Sequence, residues 1–522
     1  MSRLLRSVVS GLRLDPDGEA LVHEDRRLTH GEVLDMVHRF AHVLARAGVG
    51  PGRTVAALQL ISPEAVALRL AVQLLGACYA PLSSRIPAPA LVALARTVGA
   101  TDLVFAPAFD TNAEVVLGAL DPRTVLSLGP VGHGRDLLAE AARAPAAAIP
   151  PRGRESDPAL IMCTSGSTGI PKAPVHTFAG LTAQGRMDGW LRRHVPGGPA
   201  RRFLHHAPDM LSPEAEHVIW TLTAGGSAVL LGDGGASRVS EALERERVTH
   251  LYCMPRLLEE LTAETGRDRA GAGRYPHLRQ VEYGSAPADR AIVEKALDRF
   301  GPRLVQVYAS SETAYVTALG TEEHLPGLLG SVGKPLPGVA VRTGDDATGR
   351  AGTDDGDVWV RSPATMTEYR GNPALTAASF RAGWFRTGDR GRVDAGGYLR
   401  LTGRESNKII VASGLCVYAD AVEAVLASHP DVYRASVFGV PDARLHETVH
   451  AAVVRADGST IGARELTDFV RSTMGERYTP SSIRFLHTLP LTRKGHPDRL
   501  ALRHAMARAD PPAGHEPSPP GA

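Results

Sequence analysis

Between about residues 18 and 240, short apolar runs alternate with amphipathic stretches. VAALQL (55–60) is a continuous apolar run, PEAVALRLAVQLLGA (63–77) carries helical periodicity, and CYAPL (78–82) is again strand-like. Parallel strands need a helical crossover between them, so repetition of this unit predicts an α/β fold with mainly parallel sheets. SAVLLG (227–232), HLYCMP (250–255) and RLVQVYA (303–309) continue the pattern as strands. Beyond about residue 404 the order changes. ADAVEAVLASHP (419–430) and ARELTDFVRSTM (463–474) read as helices around two strands, YRASVFGV (433–440) and ETVHAAVVRA (447–456), which predicts a small α+β unit. Residues 144–158, 266–274 and 343–357 are rich in Gly, Pro, Asp and Ala and read as surface connections. The tail after Ala505, ending PPAGHEPSPPGA, is Pro-rich and predicted to be disordered.

A chain of 522 residues exceeds what one core organises, so a large unit and a smaller one are expected. Lys and Arg number 58 against 56 Asp and Glu, a net charge of +2, which gives no field that would select nucleic acid as partner. Small molecules are the expected ligands. The four cysteines, Cys78, Cys163, Cys253 and Cys416, are too widely spaced to read as a disulfide framework or a zinc site. The N-terminal apolar stretch is short and broken by arginines, unlike a secretory signal, so a cytoplasmic location is expected. The most apolar region, 66–82, contains Arg69 and breaks at Pro81, short of the roughly 20 residues a membrane span requires. Only five of the basic residues are lysine, namely Lys172, Lys295, Lys334, Lys408 and Lys494.

The densest chemical signal is LIMCTSGSTGIPKAPVH (160–176), an apolar strand running into a Ser/Thr/Gly loop closed by a lysine. Glycines admit a close backbone approach, and the hydroxyls of Thr164, Ser165, Ser167 and Thr168 with the backbone at Gly166 and Gly169 suit a phosphate. Lys172 adds a positive charge for the outer phosphates. The spacing is not GxxxxGK[ST], so a P-loop NTPase is disfavoured.

This loop resembles the TSGSTGxPKG signature of the adenylate-forming superfamily, which comprises acyl-CoA synthetases, peptide-synthetase adenylation domains and luciferases. Ala173 replaces the last glycine. Further resemblances follow in the family's order over residues 18 to 503. VYASSETA (307–314) resembles the YGxTE element, which implies Tyr308 stacked on adenine, Glu312 holding magnesium and Ser311 as a polar contact. YGSAP (283–287) resembles the segment lining the adenine pocket at Gly284 and Ser285. WFRTGDRGRV (384–393) resembles the TGD element, implying Asp389 on the ribose hydroxyls, and Arg404 resembles the arginine just before the family's hinge, where Ser406 holds the pivot position. GSVGKPLPG (330–338) resembles a GxxGxP stretch in which Lys334 reads as structural. His205 and His206 resemble the histidine or aromatic that flanks the carboxylate site, with His206 as the candidate.

Two departures qualify the resemblance. LSPEAEH (211–217) puts Ser212 where peptide-synthetase domains carry an aspartate for an α-ammonium group, which disfavours an α-amino acid. SGLCVYADAVEAVL (413–426) likewise resembles acyl-CoA ligases more. The family's last loop, LPxTxxGKxxR, ends on a catalytic lysine, whereas LPLTRKGHPDR (489–499) has His496 at that position and Lys494 two residues earlier. If the loop is extended, 494 and 496 share a face about 6.5 Å apart, which lets Lys494 substitute; Gly495 could instead bend the chain.

The resemblance implies an AMP-binding domain at 1–404, a mobile lid at 405–510 and a disordered tail at 511–522, with the active site between domain and lid. It implies ATP and Mg2+ as cofactors. The implied reaction is activation of a carboxylic acid to an acyl-AMP, then transfer to the thiol of CoA or of a carrier protein's phosphopantetheine arm. The alternatives are an adenylation-impaired paralogue and an enzyme that uses the adenylate to form an amide or N–N bond.

Overall fold

The computed structural model describes residues 2–82, 88–163, 172–192, 201–232, 234–263, 275–344, 355–404, 407–410, 416–442, 446–492 and 495–509. Its contacts divide into two compact units, Met1–Val341 with Trp359–Thr387, and Arg342–Val358 with Gly388–Ala522. The division at Thr387/Gly388 precedes residue 404. The stretch from Asp389 to Val393 forms an antiparallel ladder with Leu399–Arg404, so both strands fall in the second unit.

The predicted α/β alternation is present in the first unit. A nine-stranded sheet runs Lys334–Pro335, Ala314–Leu319, Leu304–Ser310, Gln280–Tyr283, His250–Cys253, Arg202–His205, Ser227–Leu230, Glu19–His23, Arg26–Thr29. Its central pairs are parallel and its edges antiparallel. An eight-stranded sheet runs Glu368–Tyr369, Pro174–Thr177, Pro158–Ile161, Cys78–Pro81, Thr54–Leu58, Asp102–Phe105, Thr124–Ser127, Arg135–Asp136.

Strand alternation sorts side chains into layers. Val55 and Ala57, with Phe203 and Tyr252, enter one core with the helices Arg3–Leu14, His30–Arg46, Pro63–Leu74, Phe178–Arg192 and Pro213–Thr223, which lie between the sheets. Ala56 and Leu58 face the opposite way onto Ala88–Thr97 and Asp110–Ala119. Leu204, Leu251 and Val281 face Ala236–Arg245, Pro255–Ala263 and Arg290–Phe300. Strands buried on both faces explain the continuous apolar runs in the sequence.

The second unit contains the predicted α+β element. Val432–Asp442, His446–Arg455 and Ser482–Phe485 form a sheet. One face packs on the helices Ala419–Ala427 and Ala463–Met474 through Val422, Leu426, Leu466 and Val470. Phe438 and Ala452 on the other face meet Leu489 and Leu502. Leu502 belongs to the helix Arg499–Ala509, which extends past Ala505. The expectation of disorder from that residue is therefore corrected: HAMARA is made of good helix formers and continues the preceding turns. Residues 511–522 lie outside the described residues. Among the described residues no helix is long and apolar enough to cross a membrane.

Candidate functional site

Ligand sites in open α/β sheets form at the carboxyl ends of the strands, and several predicted residues lie there. His206 follows Arg202–His205, Gly284 and Ser285 follow Gln280–Tyr283, and Ser311 and Glu312 turn the chain between Leu304–Ser310 and Ala314–Leu319. Thr164, Ser165, Gly166, Ser167, Thr168 and Gly169 lie outside the described residues, as does Lys494.

Glu312 is fixed at both backbone and side chain. The Ser310 hydroxyl accepts from the N–H groups of Glu312 (3.2 Å) and Thr313 (3.1 Å), and the Glu312 carbonyl accepts from Met366 N–H (2.7 Å). Ala314 closes the turn at φ +54°. The Tyr369 hydroxyl donates to Glu312 Oε1 at 2.8 Å, and the same ring lies 5.6 Å from Lys172 Nζ, in cation–π range. Tyr369 thus joins the lysine that closes the phosphate-type loop to the candidate metal ligand. His176 Nε2 donates to the Ser311 carbonyl at 2.7 Å, and burial holds its pKa below the usual histidine value. A neutral ring therefore supports the turn from beneath.

A second group surrounds His206. Its ring Nε2 donates to the Tyr252 carbonyl at 3.0 Å and lies 3.4 Å from Glu214 Oε1, while Glu214 Oε2 takes the backbone N–H groups of His206 and Ala207. Tyr252 reaches Ser285 by a hydroxyl–hydroxyl bond of 2.7 Å, with Ser285 held at φ +67°. Gly284 has no room for a side chain, since a Cβ there would lie 2.5 Å from the Val307 carbonyl oxygen. Tyr308 is buried to 8% exposure next to an irregularity in its ladder that re-aims the strand end. His205 is fully buried with no hydrogen bond to either ring nitrogen among the described residues, its Nδ1 3.9 Å from Glu214 Oε2, and burial lowers its pKa to about 4.

Charge is also buried beneath these groups. His217 sits between Asp188 (3.3 Å), Glu282 (3.5 Å) and the Tyr315 hydroxyl (2.9 Å). Burial opposes its charge, but Glu282 and Asp188 hold its pKa above the ordinary value. Arg69, fully buried, pairs with Glu216 at 2.8 Å.

In the second unit Asp389 and Arg404 stand opposite each other in the ladder, with Arg404 Nε 3.5 Å from Asp389 Oδ1. Asp389 is 8% exposed. Asp420 accepts from the Arg404 N–H (2.9 Å), from Asn407 Nδ2 (3.0 Å) and from Arg499 Nη2 (2.7 Å). Arg499, the arginine that ends LPLTRKGHPDR, also donates to Glu423 Oε2 and the Val437 carbonyl. The terminal loop is not extended. Gly495 has φ +77°, its N–H bonds to the Thr492 carbonyl, and Thr492 N–H bonds to the His496 carbonyl. The alternation that placed 494 and 496 on one face therefore does not apply, because glycine turns the chain as its positive φ permits.

The AMP-binding enzyme family matches residues 11–370, and the AMP-binding enzyme C-terminal domain matches 421–496. The chain belongs to this family. It is 31% identical over 492 residues to feruloyl-CoA synthase of an Amycolatopsis species, covering 92% of this chain and 95% of that protein. It is 29% identical over 506 residues to the fatty acid–[acyl-carrier-protein] ligase ScoC of Streptomyces coeruleorubidus, covering 94% and 93%. Among solved structures it is similar to the amide bond synthetase McbA from Marinactinospora thermotolerans, at TM-score 0.85 and 35% identity over 96% of this chain and 99% of that one.

Family members of this kind use ATP with Mg2+, and the chain's donors fit. Mg2+ takes hard oxygen ligands and usually keeps only one or two protein carboxylates beside substrate phosphates. Among the described residues there is no group of three or more potential metal ligands, and Glu312 Oε1 already accepts the Tyr369 hydroxyl. A single carboxylate with Oε2 left for a cation matches that requirement. Tyr369, Glu214 and Arg499 did not emerge as site residues from the sequence of this AMP-binding enzyme. Tyr369 had a signal in an aromatic within MTEYRGN, and Glu214 lay in the LSPEAEH segment singled out for its departure.

Proposed function

We propose that this AMP-binding enzyme activates a carboxylic acid with ATP and passes the acyl group to a thiol. The observation that carries the reading is the Lys172–Tyr369–Glu312 arrangement at the start of the strand that follows the Ser/Thr/Gly loop. In the first step a carboxylate oxygen attacks the α-phosphorus of ATP, forming acyl-AMP and releasing pyrophosphate. Positioning and charge neutralisation supply most of the catalysis. Glu312 would hold Mg2+, which would supply charge neutralisation at the phosphates, while Lys172 binds the outer phosphates and Thr164 to Gly169 are the further phosphate ligands. Tyr308, Ser311 and the backbone at Gly284 and Ser285 bind adenine, Asp389 the ribose, and Arg404 lies beside Asp389. His206 flanks the acid. In the second step the thiol attacks the acyl carbonyl and AMP leaves.

The acceptor is CoA or a carrier protein's phosphopantetheine arm, the latter supported by the similarity to ScoC. A cytoplasmic location and a domain boundary near 404 belong to the same proposal. A second reading, in which an amine takes the acyl group as an amide, is favoured by the similarity to McbA. Incubation with ATP, a panel of aromatic and fatty acids, and either CoA or an amine tests both: a thioester supports the first reading and an amide the second. The third reading, an impaired paralogue, rests on His496 at the lysine position. His496→Lys raises the adenylation rate if the wild type is weakened there, and leaves it at zero if adenylation has been lost for another reason.

A further inference from the structure

A cleft of about 430 Å3 opens where three helices converge, with Trp220 between it and the buried His217. Arg3–Leu14 contributes Arg3, Arg6 and Ser7, which share one helical stripe. Phe178–Arg192 contributes Thr182, Gly185, Arg186 and Arg192, and the last turn of Pro213–Thr223 contributes Trp220 and Thr223. That last helix begins at the His206 end, where Glu214 holds the His206 N–H. At 1.5 Å per residue the lining residues of that helix, Trp220 and Thr223, lie about 9 and 14 Å along its axis from Glu214. The close seating is built in: a Cβ on Gly11 would meet the Leu222 carbonyl oxygen at 2.3 Å, so only glycine lets the first helix lie on this helix end.

Four arginines, Arg3, Arg6, Arg186 and Arg192, line the cleft beside Leu4 and Ala224. Among the described residues no Asp or Glu lines it, and Glu155 accepts the backbone N–H of Arg3. Arg192 is neutralised by Asp188 at 2.7 Å, but Arg3, Arg6 and Arg186 have no carboxylate partner among the described residues. Two helix C-termini point here, each worth about half a negative charge. Three guanidiniums with no carboxylate partner among the described residues exceed that, even with Glu155 beside Arg3. The volume lies within the roughly 300–1,000 Å3 of small-molecule sites.

We propose that this cleft binds the phosphate group of a small metabolite. Guanidinium forks match phosphate oxygens in pairs, and an anion offsets the excess positive charge. The proposal is independent of the acid-activation reading. It is tested by calorimetric titration of the full chain with inorganic phosphate, pyrophosphate and adenosine 3′,5′-bisphosphate, in wild type and in Arg3→Gln/Arg6→Gln/Arg186→Gln. The expected result is a binding event that weakens at least tenfold in the triple variant while ATP affinity is unchanged. Binding of all three probes identifies a free-anion site, and binding of the bisphosphate alone identifies a nucleotide site. The single variant Arg186→Gln, on an exposed side chain, is expected to weaken binding at least threefold and serves if the triple variant misfolds. Absence of binding by every probe, or equal binding by wild type and variants, overturns the proposal.

Discussion

Replacing Tyr369 with phenylalanine removes the hydroxyl that donates to Glu312 Oε1 and keeps the ring beneath Lys172 and in its cluster with Met366 and Phe385. A hydrogen bond to a charged group is worth about 1.5–3 kcal/mol net. Glu312 is partly exposed, so water recovers part of that, leaving about 1.4 kcal/mol, or about tenfold in rate. Tyr369→Phe should therefore lower kcat/KM for MgATP about tenfold, measured as initial rates of pyrophosphate release with a saturating acid, with little change in the melting curve. Tyr369→Ala is a poorer test, because emptying the ring's site costs about 3–5 kcal/mol of stability as well. Wild-type kcat/KM in a correctly folded Tyr369→Phe would refute the idea that Tyr369 orients the carboxylate for catalysis.

Three further outcomes are expected. Asp389→Ala should weaken ATP binding with a nearly unchanged melting temperature; a large stability loss with normal ATP affinity would make the TGD turn structural. Arg69→Met strands Glu216 as a buried charge and should cost about 3–5 kcal/mol in chemical denaturation, most of it recovered in Arg69→Met/Glu216→Leu; simple additivity of the two single changes would contradict this. Unfolded histidine takes up a proton near pH 6.5, whereas folded His205 resists until about pH 4. The unfolded state therefore binds more protons between those values, and stability falls with pH by about 2 kcal/mol from pH 7 to 5. His205→Gln should show a correspondingly smaller fall, and an identical pH dependence would be the contrary result.

Much of the architecture was legible because strands buried on both faces leave continuous apolar runs, and the crossover helices leave a 3.6-residue period. The runs at 55–60, 227–232 and 250–255 became strands at nearly those positions. Glu312 and Asp389 could be proposed because each stands in a compact motif whose residue order is read without the fold. Tyr369 was not, since it meets Glu312 across 57 positions of chain, and only the pairing of Glu368–Tyr369 with Pro174–Thr177 brings it beside Lys172. Arg499 was hidden likewise, as its partners Asp420 and Glu423 come from a helix far earlier in the sequence. The course of the terminal loop was open in the sequence because one glycine permits either an extended chain or a bend, and the hydrogen bonds of Thr492 with Gly495 and His496 decide for the bend.

Acid-dependent exchange of labelled pyrophosphate into ATP, with hydroxamate trapping of the acyl-AMP, tests the central claim most directly because it reports the first half-reaction whatever the acceptor. Exchange that requires both Mg2+ and a carboxylic acid, and that falls at least tenfold in Lys172→Ala and Glu312→Ala, is the predicted result. Exchange undiminished in both variants, or no exchange with any acid in either the wild type or His496→Lys, would contradict it.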